Sequence, residues 1–188
     1  MRRDQLEHAI RASCQITGLT AVIIVGSQAI LGTYPEWQLP FFATRSLEID
    51  VLPIADDAGE VARLADEIEG VAGELSQFAV THGFAIDGVD LSTCALPQGW
   101  RTRLVKVQNE NTAPISGHPQ FIGWCLDKED LCVSKLCALR EKDENFVVAL
   151  LEAGLVDPQV ISDRIPLLPE RYETAAARAS SWMARWLR

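Results

Sequence analysis

The segment Leu47–Leu52 alternates acidic and apolar residues, and it constrains the fold and the function more than any other part of the chain. Its sequence Leu-Glu-Ile-Asp-Val-Leu has the period of a β-strand, and Pro53 ends the pattern. On a strand, Glu48 and Asp50 lie on one face and the intervening apolar residues lie on the other. Two adjacent carboxylates beside an apolar face are costly unless a cation binds them, and Mg²⁺ prefers such oxygen ligands. The alternative is a half-exposed strand whose acidic face is solvated.

A glycine and a serine follow the first predicted strand. Thr20–Val25 is a continuous β-branched and apolar run, which predicts a buried strand, and Gln28–Gly32 predicts a short helix after the turn at Gly26-Ser27. Glycine lets the backbone approach a phosphate closely, and the start of a helix offers free N–H groups. Ser27 would add a hydroxyl contact. The alternative is a turn with a purely structural role.

Helices and strands mix in the first two thirds of the chain, and helices dominate the last third. The periodicity predicts helices at 4–16 and 57–80, and further strands at 84–86, 101–107 and 120–126. After Asp127, a good N-cap, it predicts helices at 129–153, 158–164 and 169–188. The sequence therefore predicts an α/β (α+β) core over residues 1–126 with a helical C-terminal part over residues 127–188 packed on it.

Three charged residues fall on the apolar side of the predicted helix 129–153. If this helix is unbroken, Lys135, Lys142 and Asp143 lie in the same stripe as its buried leucines. Ionisable groups on a packing face need a partner or a ligand. Lys135 would then bind nucleotide phosphates, and Asp143 would ligate a metal or orient a base. The alternative is that the lysine heads reach solvent and Asp143 caps a break in the helix.

Composition limits the classes of function. The chain has 188 residues and a net charge of −9, which argues against a general nucleic-acid coat or a protein of anionic membranes. No apolar run is long enough to span a bilayer, and no signal-peptide pattern is visible. The five cysteines form no CxxC pair, as expected of reduced thiols in the cytoplasm.

The order of these motifs resembles a known superfamily. Gly26-Ser27 followed by Glu48-Ile49-Asp50 is similar to the Gly-Ser and paired-acid signature of the polymerase-β-like nucleotidyltransferases. More specifically, the chain resembles small bacterial proteins related to abortive-infection and toxin–antitoxin nucleotidyltransferases. Further support comes from Leu96–Trp100 and from the segment that runs from Asp130 through Lys135 to Asp143. The resemblance covers residues 21–157.

The resemblance implies a mixed sheet and transfer of a nucleoside monophosphate from a nucleoside triphosphate to an acceptor, which is tRNA, a protein or a small molecule. It implies that Gly26 and Ser27 hold phosphate and that Glu48 and Asp50 hold one or two Mg²⁺ ions. Lys135 matches a lysine element of the toxin relatives, and Asp143 matches their Lys-Asp element.

A second function stays open. The first acid is Glu48 where aspartate is commoner, and the third carboxylate of the superfamily has no clear match. Asp87 and Asp90 follow a predicted strand, but the turn around Gly88 disfavours either placement. Without a third acid, the fold would serve a catalytically inactive binding protein, an antitoxin or regulator that pairs with a partner protein.

Overall fold

The computed structural model describes residues 1–187 and has one mixed sheet of five strands. Its spatial order is β3-β2-β1-β5-β4. The strands are β1 (Ala21–Ile24), β2 (Glu48–Pro53), β3 (Ala85–Gly88), β4 (Val105–Val107) and β5 (Ile122–Cys125). The predicted fold class, a mixed sheet followed by C-terminal helices, is confirmed.

The acidic segment forms β2, which lies between β1 and β3 in the sheet. β1 pairs with β2 antiparallel and with β5 parallel, and β2 pairs with β3 parallel. Ile49 and Val51 of β2 are fully buried, whereas Glu48 is exposed and Asp50 is half-buried. The predicted alternation within β2 is therefore confirmed.

Eight α-helices surround the sheet in the described part of the chain. They are α1 (Arg3–Thr17), α2 (Phe41–Thr44), α3 (Ala58–Ala72), α4 (Gln77–His82), α5 (Lys128–Ala138), α6 (Glu141–Glu152), α7 (Pro158–Arg164) and α8 (Glu173–Met183). α1 buries Leu6, Ile10 and Cys14 at helical spacing and ends at Gly18, whose φ is 72°. α1 and α3 pack close to the sheet, because glycines in β5 and β3 leave room for Ile10 and for the backbone of Ala65.

The single helix predicted at 57–80 is wrong. Asp57 caps α3 by accepting a hydrogen bond from the Glu60 N–H, but α3 ends at Ala72 because Gly73 is extended. Ser76 then caps α4 by accepting a hydrogen bond from the Ala79 N–H.

The single helix predicted at 129–153 is also wrong. α5 ends at Ala138, because Leu139 adopts the left-handed conformation with φ 50°, and Arg140 is extended before α6 begins. Lys142 consequently lies exposed and not in the apolar stripe. The break rotates α6 relative to α5, so residues that would share a stripe on one helix now lie on two.

Smaller differences concern the ends of elements. The strand predicted at 101–107 is a 3₁₀ helix (Trp100–Arg103) followed by β4, and the last helix is α8, shorter than the predicted 169–188. Arg188 lies outside the described residues.

α5 contacts α6, α7 and α8, and their apolar side chains join those of the sheet in one core. No helix among residues 1–187 is long and apolar enough to cross a membrane.

Candidate active site

The glycine of the Gly-Ser turn lies directly against the second acid of β2. Gly26 has φ 55°, and a Cβ atom placed on it would overlap the carboxylate of Asp50. The Val25 N–H donates a hydrogen bond of 3.0 Å to the Asp50 carbonyl oxygen, which fixes the turn beside β2. Two motifs separated by more than twenty residues therefore meet, and only glycine fits at this contact.

Ser27 begins a six-residue 3₁₀ helix, Ser27–Gly32, where the sequence predicts a short helix at 28–32. A 3₁₀ helix leaves the N–H groups of its first two residues without partners inside the helix. Because the helix is so short, any phosphate contact would depend on these N–H groups and the hydroxyl of Ser27 and not on a helix dipole.

A cavity of about 260 Å³ opens beside Ser27. α6 lines it with Lys142, Asp143 and Phe146, and the segment before β2 lines it with Phe42 and Arg45. Arg45 and Lys142 are exposed, so their charges face the cavity and solvent. Besides Asp143, the cavity thus combines two cations, two serines and two aromatic rings, a set suited to a nucleotide.

The structure places a third carboxylate beside Asp50. Asp87 lies on β3 in register with Asp50, because Glu48 pairs with Ala85 and Asp50 pairs with Asp87. The sequence named Asp87 without a clear placement, since the predicted strand ended at Ile86 and Gly88 resembled a turn. β3 continues to Gly88 because the backbone of α3 packs against that glycine.

Acidic side chains crowd this part of the sheet. Burial raises the pKa of Asp50; the charge of Lys135 opposes the rise, whereas the charges of Asp87 and Glu48 add to it. Burial and a hydrogen bond with Asp87 raise the pKa of Glu69 as well. A small cavity of about 100 Å³ is lined by Glu48, Glu69, Asp87 and by Glu74 of the loop before α4. Among residues 1–187, no three histidine, cysteine or acidic side chains are grouped closely enough to hold a metal ion as they stand.

Lys135 and Asp143 meet across the break between α5 and α6. Lys135 Nζ lies 3.2 Å from Asp143 Oδ1, and Arg140 Nε lies 2.6 Å from Asp143 Oδ2. The Asp143 side chain is only 1% exposed. Its burial favours the neutral acid, but the hydrogen bond from Arg140 and the charge of Lys135 outweigh burial and lower the pKa of Asp143. Both carboxylate oxygens are therefore engaged by cations.

The chain matches, over residues 5–166, the model of a protein family described as a nucleotidyltransferase of unknown function (DUF6036). It belongs to this family. The matched span includes every site residue named above, from Gly26 to Phe146. No curated protein and no solved structure matches the chain. The resemblance to nucleotidyltransferases is thereby confirmed at the level of this family, and the closer relation to toxin–antitoxin and abortive-infection proteins stays a prediction.

In this DUF6036 chain, the C-terminal helices contribute charge to the acidic strand. The charge of Lys135 opposes the rise that burial causes in the pKa of Asp50. The pKa of Arg140 is raised, first by its hydrogen bond with Asp143 and to a smaller extent by the charge of Asp50. Cys94 interacts with the Gly26 N–H and with Ser134 of α5. The Gly-Ser turn, the paired acids and Lys135 thus lie in one region, whereas Glu48 is at its exposed end.

Sequence reasoning missed two residues of this region. Arg45 lines the cavity beside Ser27, but it precedes β2 in a segment without a motif. Arg140 binds Asp143, but it was assigned to the interior of one long helix. An isolated arginine gives no sequence signal, so only the tertiary structure identifies these two.

Proposed function

We propose that this chain transfers a nucleoside monophosphate from a nucleoside triphosphate to an acceptor in a reaction that requires Mg²⁺. Membership of the nucleotidyltransferase family supports the general reaction. The observation that supports a site in this chain is the contact of Gly26 with Asp50, which brings the phosphate motif and the acidic motif together.

The triphosphate would bind at the Gly-Ser turn. The Ser27 hydroxyl and the first N–H groups of the 3₁₀ helix donate to phosphate oxygens, and Arg45 and Lys142 neutralise their charge across the 260 Å³ cavity. Phe42 and Phe146 offer apolar surface for the base or ribose.

The residues that would hold Mg²⁺ are Glu48 and Asp50, with Asp87 as the third ligand. Carboxylate oxygens are the ligands Mg²⁺ prefers. Burial, together with the charges of Asp87 and Glu48, raises the pKa of Asp50 against the opposing charge of Lys135, so a bound cation would favour its ionised form. The Asp87 side chain would have to exchange its hydrogen bond with Glu69 for the metal. Bound Mg²⁺ would neutralise the phosphates and favour the alkoxide form of an acceptor hydroxyl.

Lys135 supplies positive charge near Asp50. Its side chain is 13% exposed, and its Nζ atom lies 5.7 Å from the centroid of the Phe146 ring, which restricts its position. There it stabilises charge that develops on the phosphates. Asp143, engaged by Lys135 and Arg140, acts by positioning Lys135 and not as a metal ligand in this conformation.

The second candidate is a catalytically inactive nucleotidyltransferase fold that binds a partner protein, as an antitoxin or regulator would. It is favoured by the hydrogen bond of Asp87 to Glu69 and by the absence, within residues 1–187, of three grouped metal ligands. The acceptor, whether tRNA, a protein or a small molecule, and any toxin–antitoxin partner stay predictions.

The test is transfer of label from nucleotides that carry it at either the α- or the γ-phosphate. With Mg²⁺ and separate pools of RNA, protein and small metabolites, we expect α-label but not γ-label to enter one pool. Asp50→Asn should abolish the transfer, and Asp66→Asn, an exposed acid on α3, should retain it. Label that enters no pool, or that enters equally with Asp50→Asn, would favour the inactive binding protein.

A further inference from the structure

A second and larger cavity, of about 440 Å³, lies at the C-terminal end of β2. Its floor is formed by Ile23 and Leu52, which are paired in register and only 2% and 3% exposed. Ile54 and Leu91 form its walls and are 38% and 41% exposed. None of these residues lines the cavity beside Ser27. A concave apolar space of this volume is within the range of small-molecule sites.

The rim of this cavity is acidic. Asp56, Asp57 and Asp90 line it together with a single cation, Arg101. Asp57 accepts the Glu60 N–H at 3.0 Å and Asp90 accepts the Ser92 N–H at 2.6 Å, and each bond uses only one carboxylate oxygen.

No cation of the described residues forms an ion pair with these carboxylates, although Arg101 lines the same rim. Within the described residues, no lysine, arginine or histidine nitrogen lies within 4.0 Å of Asp56, Asp57 or Asp90. The Arg101 guanidinium instead stacks over the Trp100 ring at 4.7 Å. The rim therefore combines three negative charges with one positive charge that already has a partner.

We propose that this cavity binds a small organic cation with an apolar body, of the class of arylalkylamines. The aliphatic floor and walls would bury the apolar body, and the rim carboxylates would bind the ammonium group. The net charge of the rim disfavours an anion of the same shape, and a neutral analogue gains only the apolar contacts. This inference does not depend on the nucleotide site, because the two cavities share no lining residue.

The test compares three probes with the same apolar body, 4-phenylbutylamine, 4-phenylbutanol and 4-phenylbutyrate, by NMR titration of the full chain at low salt. We expect the amine to shift the resonances of Leu52, Ile54 and Leu91. The alcohol should bind about fivefold more weakly, and the carboxylate more weakly still.

Two variants test whether the rim carboxylates bind the ammonium group and whether the probes occupy the cavity. Asp56→Asn/Asp90→Asn should weaken amine binding about fivefold and leave alcohol binding unchanged, because asparagine keeps the volume of aspartate. Ser92→Trp, at an exposed wall position, should fill the cavity and abolish binding of both. Asp66→Asn, an exposed acid outside the cavity, is the matched control.

The proposal is overturned if the amine shifts no resonance of the cavity, if the amine and the carboxylate bind equally, or if Asp56→Asn/Asp90→Asn binds the amine as tightly as Asp66→Asn does.

Discussion

Asp143 is buried and Asp50 is half-buried, and the charges around these two acidic side chains differ. Asp143 lies between two cations, and their charges lower its pKa although it is 1% exposed. Asp50 lies near two further carboxylates and one lysine, and its pKa is raised, chiefly by burial and further by the two carboxylates. The first arrangement is complete without a ligand. The second gains from an added cation, which is the property expected of a metal site.

The largest effect expected from this comparison is on stability at Asp143. Asp143→Asn leaves Lys135 without its buried anion, and we expect it to lower the free energy of unfolding by about 2–3 kcal/mol. Urea unfolding measures the change, and Glu152→Gln, at an exposed position of the same helix, is the control. If both variants unfold alike, the Lys135–Asp143 contact does not stabilise the fold.

Gly26→Ala sharpens the comparison from the side of Asp50. The new Cβ would overlap the Asp50 carboxylate and would strain a residue at φ 55°. We therefore expect the free energy of unfolding to fall by about 1–2 kcal/mol and nucleotide binding to be lost. Gly18→Ala, at φ 72° with no atom near the added Cβ, reports the backbone strain alone. The overlap is disproved if Gly26→Ala costs no more stability than Gly18→Ala does.

Asp50→Asn should act in the direction opposite to Asp143→Asn. Burial and the neighbouring acids disfavour the ionised form of Asp50. Its removal should therefore leave the free energy of unfolding unchanged or raise it by about 1 kcal/mol. Mg²⁺-dependent nucleotide binding should be lost. Thermal unfolding with EDTA present measures the stability. A destabilisation similar to that of Asp143→Asn would contradict the contrast between the two acids.

The pH dependence of the two acids should also differ in sign. The raised pKa of Asp50 means that the folded state binds this proton more tightly, so its destabilising effect disappears as pH falls through its raised pKa toward about 4. The lowered pKa of Asp143 means that its stabilising effect is present above its ordinary pKa and is lost as pH falls through the lowered value. On acidification in EDTA, the stability of wild type should approach that of Asp50→Asn at higher pH than it approaches that of Asp143→Asn. The reverse order would refute these directions.

The smallest effect is expected at the exposed cations of the Ser27 cavity. Arg45→Ala/Lys142→Ala should weaken nucleoside triphosphate binding about fivefold at low salt and less at high salt, because both side chains are solvent-exposed. Stability should change by less than about 0.5 kcal/mol. Calorimetry at two salt concentrations checks this, with Lys106→Ala on β4 as control; equal affinity in both variants would remove these residues from the site.

Much of the fold was predictable because its signals are local. The alternation in β2, the first helix at 4–16 and the strand before Gly26 each depend on residues near one another in sequence, and all three are confirmed. The break between α5 and α6 was predicted only as an alternative, because the apolar stripe continues through Leu139 without glycine or proline. A leucine at φ 50° is held there by the surrounding structure.

The site was predictable only in part for the same reason. Gly26 contacts Asp50, Lys135 lies near enough for its charge to act on Asp50, and Asp143 reaches Lys135 across the break that the sequence offered only as an alternative. The position of Asp87 depends on the parallel pairing of β2 with β3, which the sequence of neither strand specifies.

The measurement that tests the central claim most directly is calorimetric binding of each nucleoside triphosphate, with and without Mg²⁺, to wild type, to Glu48→Gln/Asp50→Asn and to the control Asp66→Asn. The account predicts binding that requires Mg²⁺, disappears in the double variant and persists in the control. Absence of binding by folded wild type, or binding without Mg²⁺ that the double variant retains, would contradict it.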